Sequence, residues 1–153
     1  SNLIEIVKDH YLQILIDKLE EIFDFNEDDD LRILFNRNSN EKIAEIRIAN
    51  SFSKRLLGLM FKRKCDFPLL FEIPQSIGIK ERSSIHSLFM RFELKLVFID
   101  DDNKVFEIAD LKPWSYYVPK KGAKYIIEFD KKDFEKNEFG NYDLKIGDEI
   151  EIK

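Results

Sequence analysis

Near residue 30 the apolar period of this chain switches from helical to alternating, and that switch limits what the chain can build. Before it, Ile4, Val7, Tyr11, Leu15, Leu19 and Ile22 recur every three or four residues, with Asp9, Gln13, Asp17, Glu20 and Asp24 opposite. This pattern predicts an amphipathic helix over residues 3–23. Asn2 and Glu5 stand at capping-box spacing at its start. Leu3, Leu12, Ile14, Ile16 and Phe23 widen the apolar stripe beyond a single seam. The helix therefore offers a second side, to the body or to another copy of the chain. After residue 30, Leu31, Ile33 and Phe35 alternate with Arg32 and Asn36. Past the Asn38-Ser39-Asn40 turn, Ile46 and Ile48 alternate with Glu45 and Arg47, which predicts a β-hairpin.

The rest of the chain continues in short strands. Ser51 is placed to cap one short internal helix running to Phe61, and Pro68 and Pro74 bracket a buried strand, Leu69 to Ile73. Leu94, Leu96 and Phe98 alternate with Glu93, Lys95 and Val97 in a strand that Asp100-Asp101-Asp102-Asn103 turns back into Lys104 to Ala109. Further strands are expected at 124–129 and 149–152, the last after a Gly147-Asp148 turn. Six or seven short strands with tight turns predict a mainly β (α+β) fold. It should be a small antiparallel sheet that curls into a barrel-like form to protect its edges. The lack of strand–helix alternation excludes a doubly wound α/β fold.

With 153 residues, 44% hydrophobic and 36% charged, the chain can bury one core and reads as globular. Fourteen Phe against one Trp make that core aromatic. Residues 1–50 carry 6 Lys/Arg against 12 Asp/Glu, so the acidity of the net charge of −5 lies in the N-terminal third. The expected division is residues 1–30, a helical extension with an acidic linker, and residues 31–153, the β-rich domain. An acidic leader on a near-neutral body argues against dedicated nucleic-acid binding, which draws on clustered Lys and Arg. No apolar run approaches the roughly 18 residues that span a bilayer, so no membrane span is expected. One Cys, Cys65, excludes an intramolecular disulfide and a multi-Cys zinc site, and fits a reducing, cytoplasmic compartment.

Three segments, Arg55-Leu-Leu-Gly-Leu-Met60, Phe67-Pro-Leu-Leu-Phe-Glu-Ile73 and Ile85-His-Ser-Leu-Phe-Met90, stand in an order that is distinctive together. With Val97-Phe-Ile-Asp100, Lys104-Val105, Glu107-Ile108, Pro113-Trp114, Ala123 to Glu128 and Gly147-Asp148, they resemble the family known as domain of unknown function 192. The match covers residues 44–153. The resemblance implies a small β-rich, barrel-like domain with no established activity or cofactor. It also implies Pro and then Asp after the aromatic-Met pair, where this chain has Glu93 and Lys95.

Little in the chain has the spacing of a reaction centre. Asp24 to Asp30 puts oxygens at alternate positions, but an EF-hand counted from Asp24 would have Asp29 where Gly is needed and Phe35 where the bidentate Glu belongs. No metal or cofactor is expected. Ser83-Ser-Ile-His-Ser87 admits a small hydrolase in which His86 serves a neighbouring Ser, although no nucleophile elbow surrounds it. Arg55 suits an anionic ligand or a structural tie, and Met60 and Met90 suit core filling or an adaptable pocket wall. Lys112-Pro-Trp-Ser-Tyr-Tyr117, trailed by Lys120, Lys121 and Lys124, mixes aromatic and cationic side chains as a stacking surface for a sugar, base or peptide would. The expected function is a non-enzymatic binding or interaction module for a small molecule or protein. The alternatives to it are the small hydrolase using His86 and weak sugar or single-strand nucleic-acid binding by residues 112–124. The candidate ligand residues are Arg55, His86, Phe89, Met90, Arg91, Lys112, Trp114 and Tyr116, and the N-terminal helix is the candidate homodimer seam.

Overall fold

The computed structural model describes residues 2–23, 31–49, 68–73, 80–87, 90–136 and 142–153. The expected acidic linker and the helix capped by Ser51 lie outside these residues. Helix α1 (Asn2–Phe23) forms where the 3.6-residue period places it. Strands β1 (Leu31–Asn36) and β2 (Glu41–Ala49) make the first hairpin. Its turn is held by the Asn36 carboxamide oxygen, which accepts the Asn38 and Ser39 N–H groups, and Asn40 takes a φ of 58°. Asn tolerates this left-handed region through its short polar side chain. β3 (Leu69–Glu72) follows, then a single 3₁₀ turn (Lys80–Ser83) and a two-residue strand β4 (Ile85–His86). β5 (Leu94–Ile99) and β6 (Val105–Leu111) form the second hairpin, where Asp100 Oδ1 accepts the Asp102 and Lys104 N–H groups. β7 (Tyr116–Tyr117), β8 (Tyr125–Asp130), helix α2 (Lys131–Lys136) and β9 (Ile150–Ile152) complete the described elements.

Seven strands form one sheet in the order β6-β5-β8-β3-β2-β1-β9, antiparallel except for β2 against β3. Its ladder does not close, yet its two edges meet: Lys104 and Glu149 form a single bridge beside Val105 N–H to Asp148 O (2.9 Å) and Ile150 N–H to Asn103 O (2.8 Å). The turn that makes this contact needs Gly147, whose φ is 95° and whose N–H reaches Val105 O at 2.7 Å. The barrel-like expectation therefore holds as a curled, open sheet.

Curling creates two cores. The inner one gathers Leu34, Ile46, Leu70, Val97, Ile127, Phe129 and Ile150 from both edges and the middle of the sheet. The outer one lies on the other face, where Phe71, Leu94, Leu96, Phe98 and Ile126 are covered by Met90, Ile85 and Tyr117 of the layer that includes the β4–β7 pair. β5 and β8 are buried on both faces; Leu94, Leu96 and Phe98 of β5 share the outer face that their alternation predicts, while β8 reads as a nearly unbroken apolar run. The sequence reading missed β4 and β7, too short for any period, and α2. That helix is capped by Asp130, whose Oδ1 accepts Lys132 N–H at 2.9 Å, and Phe134 packs edge-on against Phe129.

Candidate ligand-binding surface

Ser87 organises the loop that the sequence singled out. It is fully buried and spends every polar atom on residues 112–115 or on its own turn. Its N–H donates to Ser115 O (2.8 Å). Its carbonyl accepts Trp114 N–H (2.9 Å) and Met90 N–H (3.1 Å). Its hydroxyl donates to Lys112 O (2.5 Å) and accepts Ser115 N–H (2.8 Å). The loop is thereby fixed at both ends of Pro113-Trp114, and Trp114 adopts a φ of 60°. That region is rarely populated by bulky residues and costs on the order of 1–3 kcal/mol. The indole stays 56% exposed.

A second tie holds the far side of the loop. The Tyr117 hydroxyl donates to Glu107 Oε2, and Glu107 Oε1 accepts Lys120 N–H at 2.8 Å. The hydrogen bond to Glu107, with burial and the carboxylate charge adding to it, pushes the Tyr117 phenol up to about 12. Tyr117 lies against Phe98 with ring centroids 5.7 Å apart, so its neighbour on the pleat, Tyr116, faces solvent. Tyr116 pairs across β4–β7 with His86, which is also exposed. Lys112, Trp114, Tyr116 and His86 thus stand outward on one braced two-strand unit and its loop.

The other candidates are placed differently. Arg55 and Phe89 lie outside the described residues. Met90 is buried in the outer core and supports the surface from below rather than lining it. Arg91 is half-buried, pairs with Asp9 of α1 at 3.5 Å, and has a buried Nε with no hydrogen-bond partner among the described residues. The hydrolase constellation loses two hydroxyls to the backbone: Ser83 Oγ accepts Ala123 N–H (2.8 Å) in a buried position, and Ser87 is engaged as above. Ser84 is left exposed two residues from His86. Among the described residues no group of three or more His, Cys, Asp or Glu is placed to hold a metal. No helix among them is long and apolar enough to cross a membrane.

Sequence reasoning did not single out Glu128. It is the one charged side chain buried among the described residues, at 6% exposure, and burial pushes its carboxyl up to about 8. The available signal was an acid inside Ile126-Ile127-Glu128-Phe129, a strand with no polar face to put it on.

A curled, open sheet that carries a braced aromatic loop on its outer layer defines the class of domain, and comparison with known proteins gives its family. The model described as "Uncharacterized ACR" (DUF192) matches residues 33–152, and the chain belongs to that family. A UPF0127 protein of Pyrococcus horikoshii is 44% identical over 100 residues, covering 64% of this chain and 84% of that protein. A UPF0127 protein of Pyrococcus furiosus is 45% identical over 84 residues, 55% of this chain and 70% of that one. A crystal structure from Sinorhizobium meliloti superposes with a TM-score of 0.63 at 19% identity, covering 80% of this chain and 92% of the other. A protein of unknown function from Novosphingobium aromaticivorans gives 0.60 at 14%, covering 79% and 83%. These two likenesses are of fold.

Proposed function

We propose that the domain is a non-enzymatic binding module whose ligand lies across Trp114 and Tyr116, with Lys112 and His86 supplying charge and hydrogen bonds. The observation that carries this reading is a solvent-facing indole at a backbone angle rare for its size, held there by a wholly buried serine. Fixing an aromatic face beforehand removes an ordering cost that a mobile loop would meet on binding. Rings stack on Trp and Tyr, and a nearby ammonium favours negative charge, so a small ring-bearing anion is the ligand class the surface fits.

The sole Trp reports on this surface directly. Titration with nucleoside monophosphates and sugar phosphates is expected to change its emission saturably, and Lys112→Ala and Tyr116→Ala are each expected to weaken binding about tenfold or more, in line with the loss of one stacking or charge contact. Unchanged emission across the series, or undiminished binding by both variants, refutes the reading. A steep salt dependence with oligonucleotides would instead favour single-strand nucleic acid. Hydrolysis by His86 has less support, because the Ser83 and Ser87 hydroxyls are both buried and bonded to backbone. Its sign would be ester turnover lost in His86→Ala.

A further inference from the structure

The chain is anchored on either side of Arg91. Met90 before it is buried in the outer core, Phe92 after it packs against the same cluster, and Glu93 O accepts Lys131 N–H at 3.0 Å. The Arg91 side chain is 17% exposed. A guanidinium has two edges that can hold two oxygens of one anion at once, Nη1 with Nη2 and Nε with Nη2. Asp9 Oδ1 meets the second edge at one end, 3.5 Å from Nη2. A charge-assisted hydrogen bond is shorter, about 2.7–2.9 Å. The other end of that edge, Nε, is buried and has no hydrogen-bond partner among the described residues, although buried donors ordinarily have one. A two-donor edge is thus half used, by a loosely held carboxylate.

That carboxylate comes from an added element. The family match spans residues 33–152, which includes Arg91 and leaves out Asp9. Asp9 itself is 55% exposed. Of the side chains at residues 2–15, Leu12, one turn on from Asp9 and on the same side of α1, is the half-buried one and the rest are exposed. Along these residues α1 is seated lightly, and an ion pair this exposed holds Asp9 weakly. We propose that the Nε–Nη2 edge of Arg91 is a binding site for an oxyanion presenting two oxygens, a carboxylate or a phosphate, and that Asp9 occupies it as a built-in competitor. A bound oxyanion accepts from both donors, satisfies Nε and displaces Asp9. Linkage makes the effect reciprocal: the factor by which Asp9 weakens the anion is the factor by which the anion weakens the hold of Arg91 on α1. This site does not rest on the reading of Trp114 and Tyr116 as a stacking surface.

The test uses the full chain, with acetate and inorganic phosphate as probes and chloride at matched ionic strength as the control. The readout is the Arg91 Nε–H signal in ¹⁵N spectra, assigned by its loss in R91K. In D9N at least one oxyanion is expected to move that signal saturably, with an affinity about three- to tenfold above the parent's. The tighter probe tells a carboxylate ligand from a phosphate. E5Q removes an equal charge from an exposed acid one turn away on α1 and is expected to bind as the parent does, which separates competition at Arg91 from a general change in charge. D9N/R91K keeps the cation but loses the two-donor edge, and calorimetry is expected to show binding about tenfold weaker or more than in D9N. Should the Arg91 substitution disturb folding, the comparison of D9N with E5Q decides by itself. A D9N affinity no greater than that of E5Q, a response to chloride equal to that of both oxyanions, or an Nε–H signal that stays in place overturns the proposal.

Discussion

Ser87→Ala removes a single oxygen and tests whether the aromatic surface is braced. That oxygen satisfies two backbone groups, the Lys112 carbonyl at 2.5 Å and the Ser115 N–H at 2.8 Å, from a side chain with no solvent exposure. A backbone group stranded by such a change costs about 1–3 kcal/mol. Lys112 and Ser115 are themselves exposed, so water can reach part of each, and the lower end applies: about 2 kcal/mol for the two together. In a domain of this size that is a fall of about 4–8 °C in Tm. Urea unfolding gives the free energy, and Trp114 gives the local consequence. With the brace gone its unfavourable φ should relax, and acrylamide should quench it more readily. Ser84→Ala, at an exposed position one turn of chain away, is the control and should stay within about 0.5 kcal/mol. Were Ser87→Ala as stable as that control, with quenching unchanged, the loop would not owe its conformation to Ser87.

Glu107→Gln should return the Tyr117 phenol from about 12 toward 10, read as one tyrosine's worth of absorbance at 295 nm. Because the folded value is raised, the stabilisation from this pair is present below pH 10 and lost as pH rises toward 12, and an unaltered titration curve would show that the contact is not made in solution. Ile4, Val7, Tyr11, Ile14 and Leu15 are exposed on α1 at the spacing of a helix–helix seam, and sedimentation at micromolar concentration should show a dimer that Val7→Asp/Ile14→Asp dissolves. A monomeric parent would end that idea. Since the Asp9–Arg91 pair is partly exposed and worth little, a chain starting at Asp28 should keep a cooperative unfolding transition, and a molten product would place α1 in the core.

The hairpins and α1 were legible because each writes its period on one face: β1 and β2 alternate, and α1 repeats every three or four residues. β8 was located but not oriented, since burial on both sides erases alternation, whereas in β5 the alternation of Leu94, Leu96 and Phe98 with Lys95 and Val97 marks the face that the outer core takes. β4, β7 and the role of Ser87 were illegible for a different reason. A two-residue strand has no period, and a serine that bonds to backbone 25 and 28 residues away leaves no local trace. The loop composition still pointed to Lys112, Trp114 and Tyr116, because exposed-type aromatics beside cations are informative without any period. His86 entered the reading as a base and reappears as the cross-strand neighbour of Tyr116.

The family resemblance leads one to expect an acid at the position of Lys95, and the structure shows why a cation is at home there. Lys95 lies directly across from Asp110, and its Nζ reaches Asp110 at 2.6 Å and Glu135 of α2 at 3.6 Å. Lys131 joins the group through Glu93 (3.1 Å) and Asp110 (3.3 Å). Burial works against ionisation of Asp110, but bonds and charge from Lys95 and then Lys131 outweigh it and its pKa is lowered. Hydrogen bonds donated to Glu93 and Asp110 raise that of Lys131. An acid at position 95 would face Asp110 directly, a pairing that repels across a ladder. Lys95 also lies on the opposite face of β5 from Leu94 and Leu96, with its ammonium 5.5 Å from the Phe134 ring at the inner core. The inverted charge is therefore absorbed by the hairpin and α2 on one side of the sheet. Glu128 and the layer bearing Trp114 lie on the other side, so the proposed binding surface does not depend on which charge occupies position 95.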